Sequence, residues 1–147
     1  MKLENEFTVN TSMDEAWKAM NDLERVTPCL PGAQLTAEVG DEYEGTMTVK
    51  MGPVTQKYNG TVKIEDSDEG AHRAVIRADG KDARGQGTAS ATITSTLNDD
   101  GNGGVHVHVE TDMQLTGRVA QFGRGMHREV AGKIMGRFAD CLERELF

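Results

Sequence analysis

The stretch that decides the fold is GRVAQFGRGMHREVAGKIMGRFADCLERELF, residues 117–147. Phe122, Met126, Val130, Ile134, Phe138, Leu142 and Leu146 recur at every fourth position, with Val119 leading in and Cys141 beside them. Apolar contact therefore repeats once per turn, which predicts one long helix from Gly117 to Phe147. A four-residue step overshoots a full turn by roughly 40°, so the stripe creeps around the helix and asks for a bend or a curved partner. Gly123, Gly125, Gly132 and Gly136 fall inside the segment, each costing up to about 1 kcal/mol relative to alanine. They read either as kink and close-packing points or as room for a ligand beside the helix.

Such a helix needs a surface to lie on, and the residues before it supply one. Val105 to Leu115 alternates, with Val105, Val107, Val109, Thr111, Met113 and Leu115 on one face. Thr88 to Leu97 does the same, placing Ala89, Ala91, Ile93, Ser95 and Leu97 inward and threonines outward. Between these two strands, Asn98 to Gly104 is a hairpin loop. Further back, Ala74, Ile76 and Ala78 mark a strand, followed by a charged, glycine-rich connection from Gly80 to Gly87. Val54 to Glu65 alternates cleanly, with Val54, Gln56, Tyr58, Gly60, Val62 and Ile64 inward. Tyr43 to Met51 puts Tyr43, Gly45, Met47, Val49 and Met51 on one face, and Gln34 to Glu38 is a short strand.

Leu3 to Val9 opens the chain as a strand. Ser12 and Glu15 form a capping box for a helix running to about Asn21. Ala16, Met20 and Leu23 make its apolar face, with Trp17 flanking, and Leu23 to Thr27 is a second short helix that Pro28 stops. The order is strand, one or two helices, six strands and a long helix. Short turns make the strands antiparallel neighbours, one face looks at water, and the other must be covered. The expected body is an α+β domain spanning residues 1–147, a curved antiparallel sheet folded around the terminal helix.

Composition narrows the function. Sixteen Lys and Arg against 24 Asp and Glu give a net charge of −8, which argues against nucleic acid. No apolar run reaches the roughly 20 residues of a membrane span, and residues 1–7 lack the apolar core of a signal peptide. These features place the protein in the cytoplasm, where Cys29 and Cys141 read as two free thiols. Arg118, Arg124, Arg128, Lys133, Arg137 and Arg144 concentrate positive charge on the last helix, as its solvated back rather than a docking patch for anionic lipid or an acidic partner.

The inner face is poor in bulk. Gly45, Gly60, Ala89 and Ala91 are small where a tight core wants volume, while Met47, Met51, Met113 and Met126 are adaptable thioethers. An apolar pocket is the expected result. Tyr43, Tyr58, Gln56 and Thr111 are the polar inward residues, which either orient a carbonyl or hydroxyl by hydrogen bond or satisfy one another, as buried polar groups more often do, and they give little basis for catalysis. His106, His108, Glu110 and Asp112 share the outer face of one strand. They read as a solvated face, with no third metal ligand identifiable elsewhere. His127, between Arg124 and Arg128, reads as a surface residue.

Leu30-Pro31-Gly32-Ala33, Gly40-Asp41-Glu42-Tyr43, Val49-Lys50-Met51-Gly52-Pro53-Val54 and Gly117-Arg118-Val119-Ala120-Gln121-Phe122-Gly123 resemble the CoxG family of carbon monoxide dehydrogenase subunits, which are START or Bet v 1-like helix-grip domains. The resemblance covers nearly the whole chain. It implies seven strands gripping the C-terminal helix around a hydrophobic cavity. Leu30, Val119, Phe122 and Val130 join Met47, Met51, Tyr58, Ala89, Ala91, Met113 and Met126 as the expected lining. In function it implies a non-enzymatic accessory protein of molybdenum CO dehydrogenase, tied to membrane recruitment and to binding of menaquinone or another lipid, with no covalent cofactor. Family members often continue into a flexible tail and an amphipathic anchor, so peripheral contact at the cytoplasmic face of the membrane belongs to this expectation. The competing readings are an adaptor or assembly factor whose interior is mere packing, and a small cyclase-like or hydrolase-like enzyme. The second suffers from the absence of an inward His, Asp, Glu or Lys.

Overall fold

A computed structural model describes all 147 residues. The elements are β1 (Lys2–Val9), α1 (Met13–Met20), α2 (Leu23–Val26), a 3-10 turn (Thr27–Cys29), β2 (Ala33–Val39), β3 (Glu42–Met51), β4 (Val54–Asp68), β5 (Arg73–Asp82), β6 (Thr88–Asp99), β7 (Val105–Leu115), a second 3-10 turn (Arg118–Gln121) and α3 (Arg124–Glu145). The seven strands form one antiparallel sheet in the order β1-β7-β6-β5-β4-β3-β2. Six consecutive strands make a meander, and β1 closes it by pairing with the last of them.

Register fixes what faces inward. Tyr43 lies opposite Val62, Val62 opposite Ala78, Ala78 opposite Ala91 and Ala91 opposite Met113. Because strand side chains alternate, this line carries the expected inner faces of β3 to β7 together. Gly45, Gly60 and Gly80 also line up across three strands, and a side chain at Gly60 would overlap the Asp79 carbonyl oxygen. Glycine there lets adjacent strands approach closely where the sheet curls.

α3 packs against β1 at one edge of the sheet and β3 near the other, so it crosses above the central strands. Its C-terminal half is anchored in the larger core, where Leu142 is fully buried and Phe138 meets Phe7 edge to face at 6.0 Å. α1 completes that core. Ser12 Oγ accepts from the Glu15 amide at its start, and Ala16, Ala19 and Met20 are buried beneath it.

Four expectations are corrected. The terminal helix does not begin at Gly117. That residue sits at φ 87°, Phe122 and Gly123 are extended, and the helix proper starts at Arg124. The interruption lets Val119 plug into the interior at 2% exposure. The helix glycines are not close-packing points: Gly125, Gly132 and Gly136 are exposed, and a β-carbon on any of them would meet open space. Gly132→Ala and Gly136→Ala are therefore expected to stabilise the protein by about 0.5–1 kcal/mol each, read as a raised denaturant midpoint with unchanged slope. Trp17 is part of the core rather than its flank, buried and edge-on to His72. Strand β5 runs on to Asp82, into what the glycine-rich composition suggested was a connection.

The cysteines give the largest correction. Cys29 and Cys141 are joined by a disulfide, with Cα atoms 5.3 Å apart and no free thiol remaining. Counting cysteines could not reveal this, because the pair is 112 residues apart in sequence and only the folded helix brings Cys141 over the turn that holds Cys29.

Candidate functional site: the space between sheet and helix

The apolar interior is divided. One cluster gathers under α1 and the C-terminal half of α3, around Val9, Trp17, Leu97, Val107, Phe138 and Leu142. A second, at the N-terminal end of α3, consists of Met51, Val54, Tyr58 and Val119, with Ala89, Phe122, Met126 and Val130 packed against it. Between the two, Met47, Val62, Ile64, Ile76, Ala78 and Met113 face inward yet remain half-exposed, as does Ile134 on the helix. These inward apolar residues stay partly accessible and belong to neither cluster.

Seven of the eleven expected lining residues come together in the second cluster: Met51, Tyr58, Ala89, Val119, Phe122, Met126 and Val130. Met47, Ala91 and Met113 occupy the adjoining inner face, Met47 opposite Tyr58 and Ala91 opposite Met113. Leu30 lies elsewhere, packed on the larger core. Two clefts open at the surface. One of about 700 Å³ lies between α1, α2 and strands β3 and β4, lined by Trp17, Leu23, Tyr43 and Ile64 with Lys18, Asn21, Asp22, Asp41, Ser67 and Glu69. The other, about 450 Å³, runs between α2 and β2 and shares Tyr43. Neither is lined by the eleven residues, but Tyr43 and Ile64 belong to the inner face, so the larger cleft opens onto it. Partial desolvation and the carboxylates of Glu24, Glu38 and Asp22 hold the Tyr43 phenol above its usual pKa.

The polar interior differs from the sequence expectation in two places. His127 is not on the surface. It is 8% exposed, with Nε2 2.8 Å from the Val119 carbonyl oxygen and Nδ1 without a partner. The late start of α3 explains this, because the helix phase is set by Gly123 and turns His127 toward the 3-10 turn rather than to water. Asp82 is also buried, on the β5 position opposite Tyr58. Its Oδ2 accepts from the backbone amides of Arg84 and Gln86, which makes it the organiser of its own turn. Contrary to expectation, then, the interior holds a histidine and a carboxylate. The signal for His127 was its spacing of one from Met126 on the apolar stripe, outweighed by its arginine neighbours.

Gln56 and Tyr58 are inward as expected, 4% and 7% exposed. Gln56 Nε2 donates to the Gln86 carbonyl at 3.3 Å, while Gln56 Oε1 and the Tyr58 hydroxyl have no partner. Burial, with a smaller contribution from Asp82, raises the Tyr58 pKa, so the phenol stays neutral. On the outer face, His106 Nε2 lies 3.7 Å from Glu6, and the arginines of α3 are exposed.

A curved seven-stranded sheet gripping a C-terminal helix, with short helices after the first strand, defines the START/Bet v 1-like class. Solved structures share it: a conserved protein from Geobacillus kaustophilus (TM-score 0.84, 18% identity, 99% of this chain and 94% of that one), a START superfamily protein from Mycobacterium smegmatis (0.63, 12%, 99% and 96%), and an aromatase/cyclase from a Streptomyces species (0.57, 11%, 98% and 89%). No curated protein matched the sequence. The chain belongs to the CoxG family of carbon monoxide dehydrogenase subunits, which it matches over residues 6–147.

Proposed function

We propose that this protein is a non-enzymatic carrier that holds an isoprenoid quinone, menaquinone-like, or a similar lipid between its sheet and α3 and serves a molybdenum CO dehydrogenase. The observation that carries the reading is the divided core: half-exposed apolar residues on the inner face, between two closed clusters. Covering such a band is worth about 25 cal/mol per Å², enough for an isoprenoid chain to bind without any catalytic group. The cleft at Tyr43 and Ile64 supplies a way in. Membership of the family supports an oxidoreductase as the partner, and we extend the proposal to action at the cytoplasmic face of the membrane. The contact we propose is peripheral, and no helix is long and apolar enough to cross a membrane.

An enzymatic reading is less well supported. Asp82 is engaged by its turn, and His127 is held by Val119 with no second proton-transfer group bonded to it.

Ala91, 9% exposed in the middle of the inner face, provides the test. Ala91→Phe fills the space beside Met113 and is expected to weaken uptake of added menaquinone at least tenfold in a native mass-spectrometric titration, while far-UV circular dichroism stays unchanged. Unaltered uptake removes the inner face as the binding site. Pull-down of the dehydrogenase by the same variant, without any quinone uptake in either form, would favour the adaptor.

A further inference from the structure

Three buried polar atoms around the smaller cluster lack partners: Gln56 Oε1, the Tyr58 hydroxyl and His127 Nδ1. Each residue is more than nine-tenths buried. They belong together, since Gln56 and Tyr58 alternate on the inner face of β4, Tyr58 packs in one cluster with Val119, and His127 is bonded to the Val119 carbonyl. Leaving such groups unpaired is costly, and their hydrogen-bonding character says what would satisfy them.

The Gln56 amide gives one of its N–H groups to Gln86, and its free carbonyl oxygen can only accept. A carbonyl only accepts as well, so His127 Nε2 must carry the proton it gives to Val119, and Nδ1 is an acceptor whenever it carries no proton of its own. The Tyr58 hydroxyl can donate or accept. A ring carrying carbonyls could satisfy Tyr58 alone, whereas hydroxyls on the ring would donate to Gln56 and His127 and still accept from Tyr58.

We propose that this end of the interior is a head-group subsite that selects a hydroxyl-bearing aromatic ring, a phenol or hydroquinone, over its carbonyl counterpart. The proposal rests on the carrier reading and adds to it which redox form is held more tightly. It assigns His127 and Gln56 as specificity residues, and Met126, Phe122 and Val130 as the apolar walls beside them.

Redox-stable probes give the test: a geranyl-substituted 1-naphthol, its O-methyl ether, and menaquinone with a two-unit tail, titrated calorimetrically against the intact, disulfide-bonded protein. One well-made buried hydrogen bond corresponds to roughly tenfold in affinity, so the naphthol is expected to bind at least about tenfold more tightly than the other two. In Gln56→Leu and His127→Phe that advantage shrinks while affinity for the methyl ether is kept, which separates lost recognition from lost folding. Equal binding of naphthol and ether, or a preference for the quinone, overturns the subsite and leaves the carrier intact. Failure of all three probes to bind overturns the carrier reading and the subsite with it.

Discussion

Reducing the Cys29–Cys141 bridge, or replacing Cys141 by Ser, is expected to lower the unfolding free energy by about 4–5 kcal/mol. Closing a loop across a separation of 112 residues removes that much chain entropy from the unfolded state in the loop-closure treatment. For a chain of this length the loss corresponds to a fall in Tm of roughly 10–20 °C. The bond fastens the C-terminal end of α3 to the turn after α2, beside Phe138 and Leu142 in the larger core. Its loss therefore frees the end of the helix first. Differential scanning calorimetry with and without a reductant measures the shift, and hydrogen exchange is expected to rise first at residues 138–146. A Tm unchanged on complete reduction would show that packing alone holds the helix down.

The second large effect is a contrast along α3. Leu142 is completely buried, so Leu142→Ala is expected to cost about 3–4 kcal/mol, transfer plus cavity. Ile134 lies two turns earlier on the same stripe but is half-exposed and belongs to neither cluster. Ile134→Ala is expected to cost under about 1.5 kcal/mol, because little is lost where little is covered. Urea unfolding of the two variants makes the comparison. Equal and large costs would mean that the middle of the helix is packed as tightly as its end, and the space on which the carrier reading depends would be gone.

Much of this architecture was legible in the residues because alternation is a local property. The cleanly alternating run from Val54 to Ile64 fixed its inward set without any partner, and the observed register places Gly60, Val62 and Ala91 on the same side. The terminal stripe revealed the helix for the same reason, but not its start. Positive φ at Gly117 and the extended geometry of Phe122 and Gly123 serve to seat Val119, a tertiary requirement invisible to periodicity. The disulfide and the burial of His127 escaped for a related reason. Both depend on where α3 sits and how it is rotated. Gln56 and Tyr58 were legible as inward polar residues, but their lack of partners could be seen only when every neighbouring donor and acceptor was in place.

The surface charge is consistent with a protein whose chemistry lies inside. Lys133 pairs with Glu129 one turn away and Arg144 with Glu145. These exposed pairs contribute little to stability, typically about 0.2–1 kcal/mol each.

The central claim is that an apolar molecule occupies the space between sheet and helix. Native mass spectrometry of the protein purified from its own host, followed by solvent extraction, measures this most directly. The expected result is a stoichiometric mass increment that the extract identifies as an isoprenoid quinone or a lipid of similar length. A clean unliganded mass, together with no uptake of added menaquinone, would contradict the carrier and leave the protein as an adaptor whose interior is only packing.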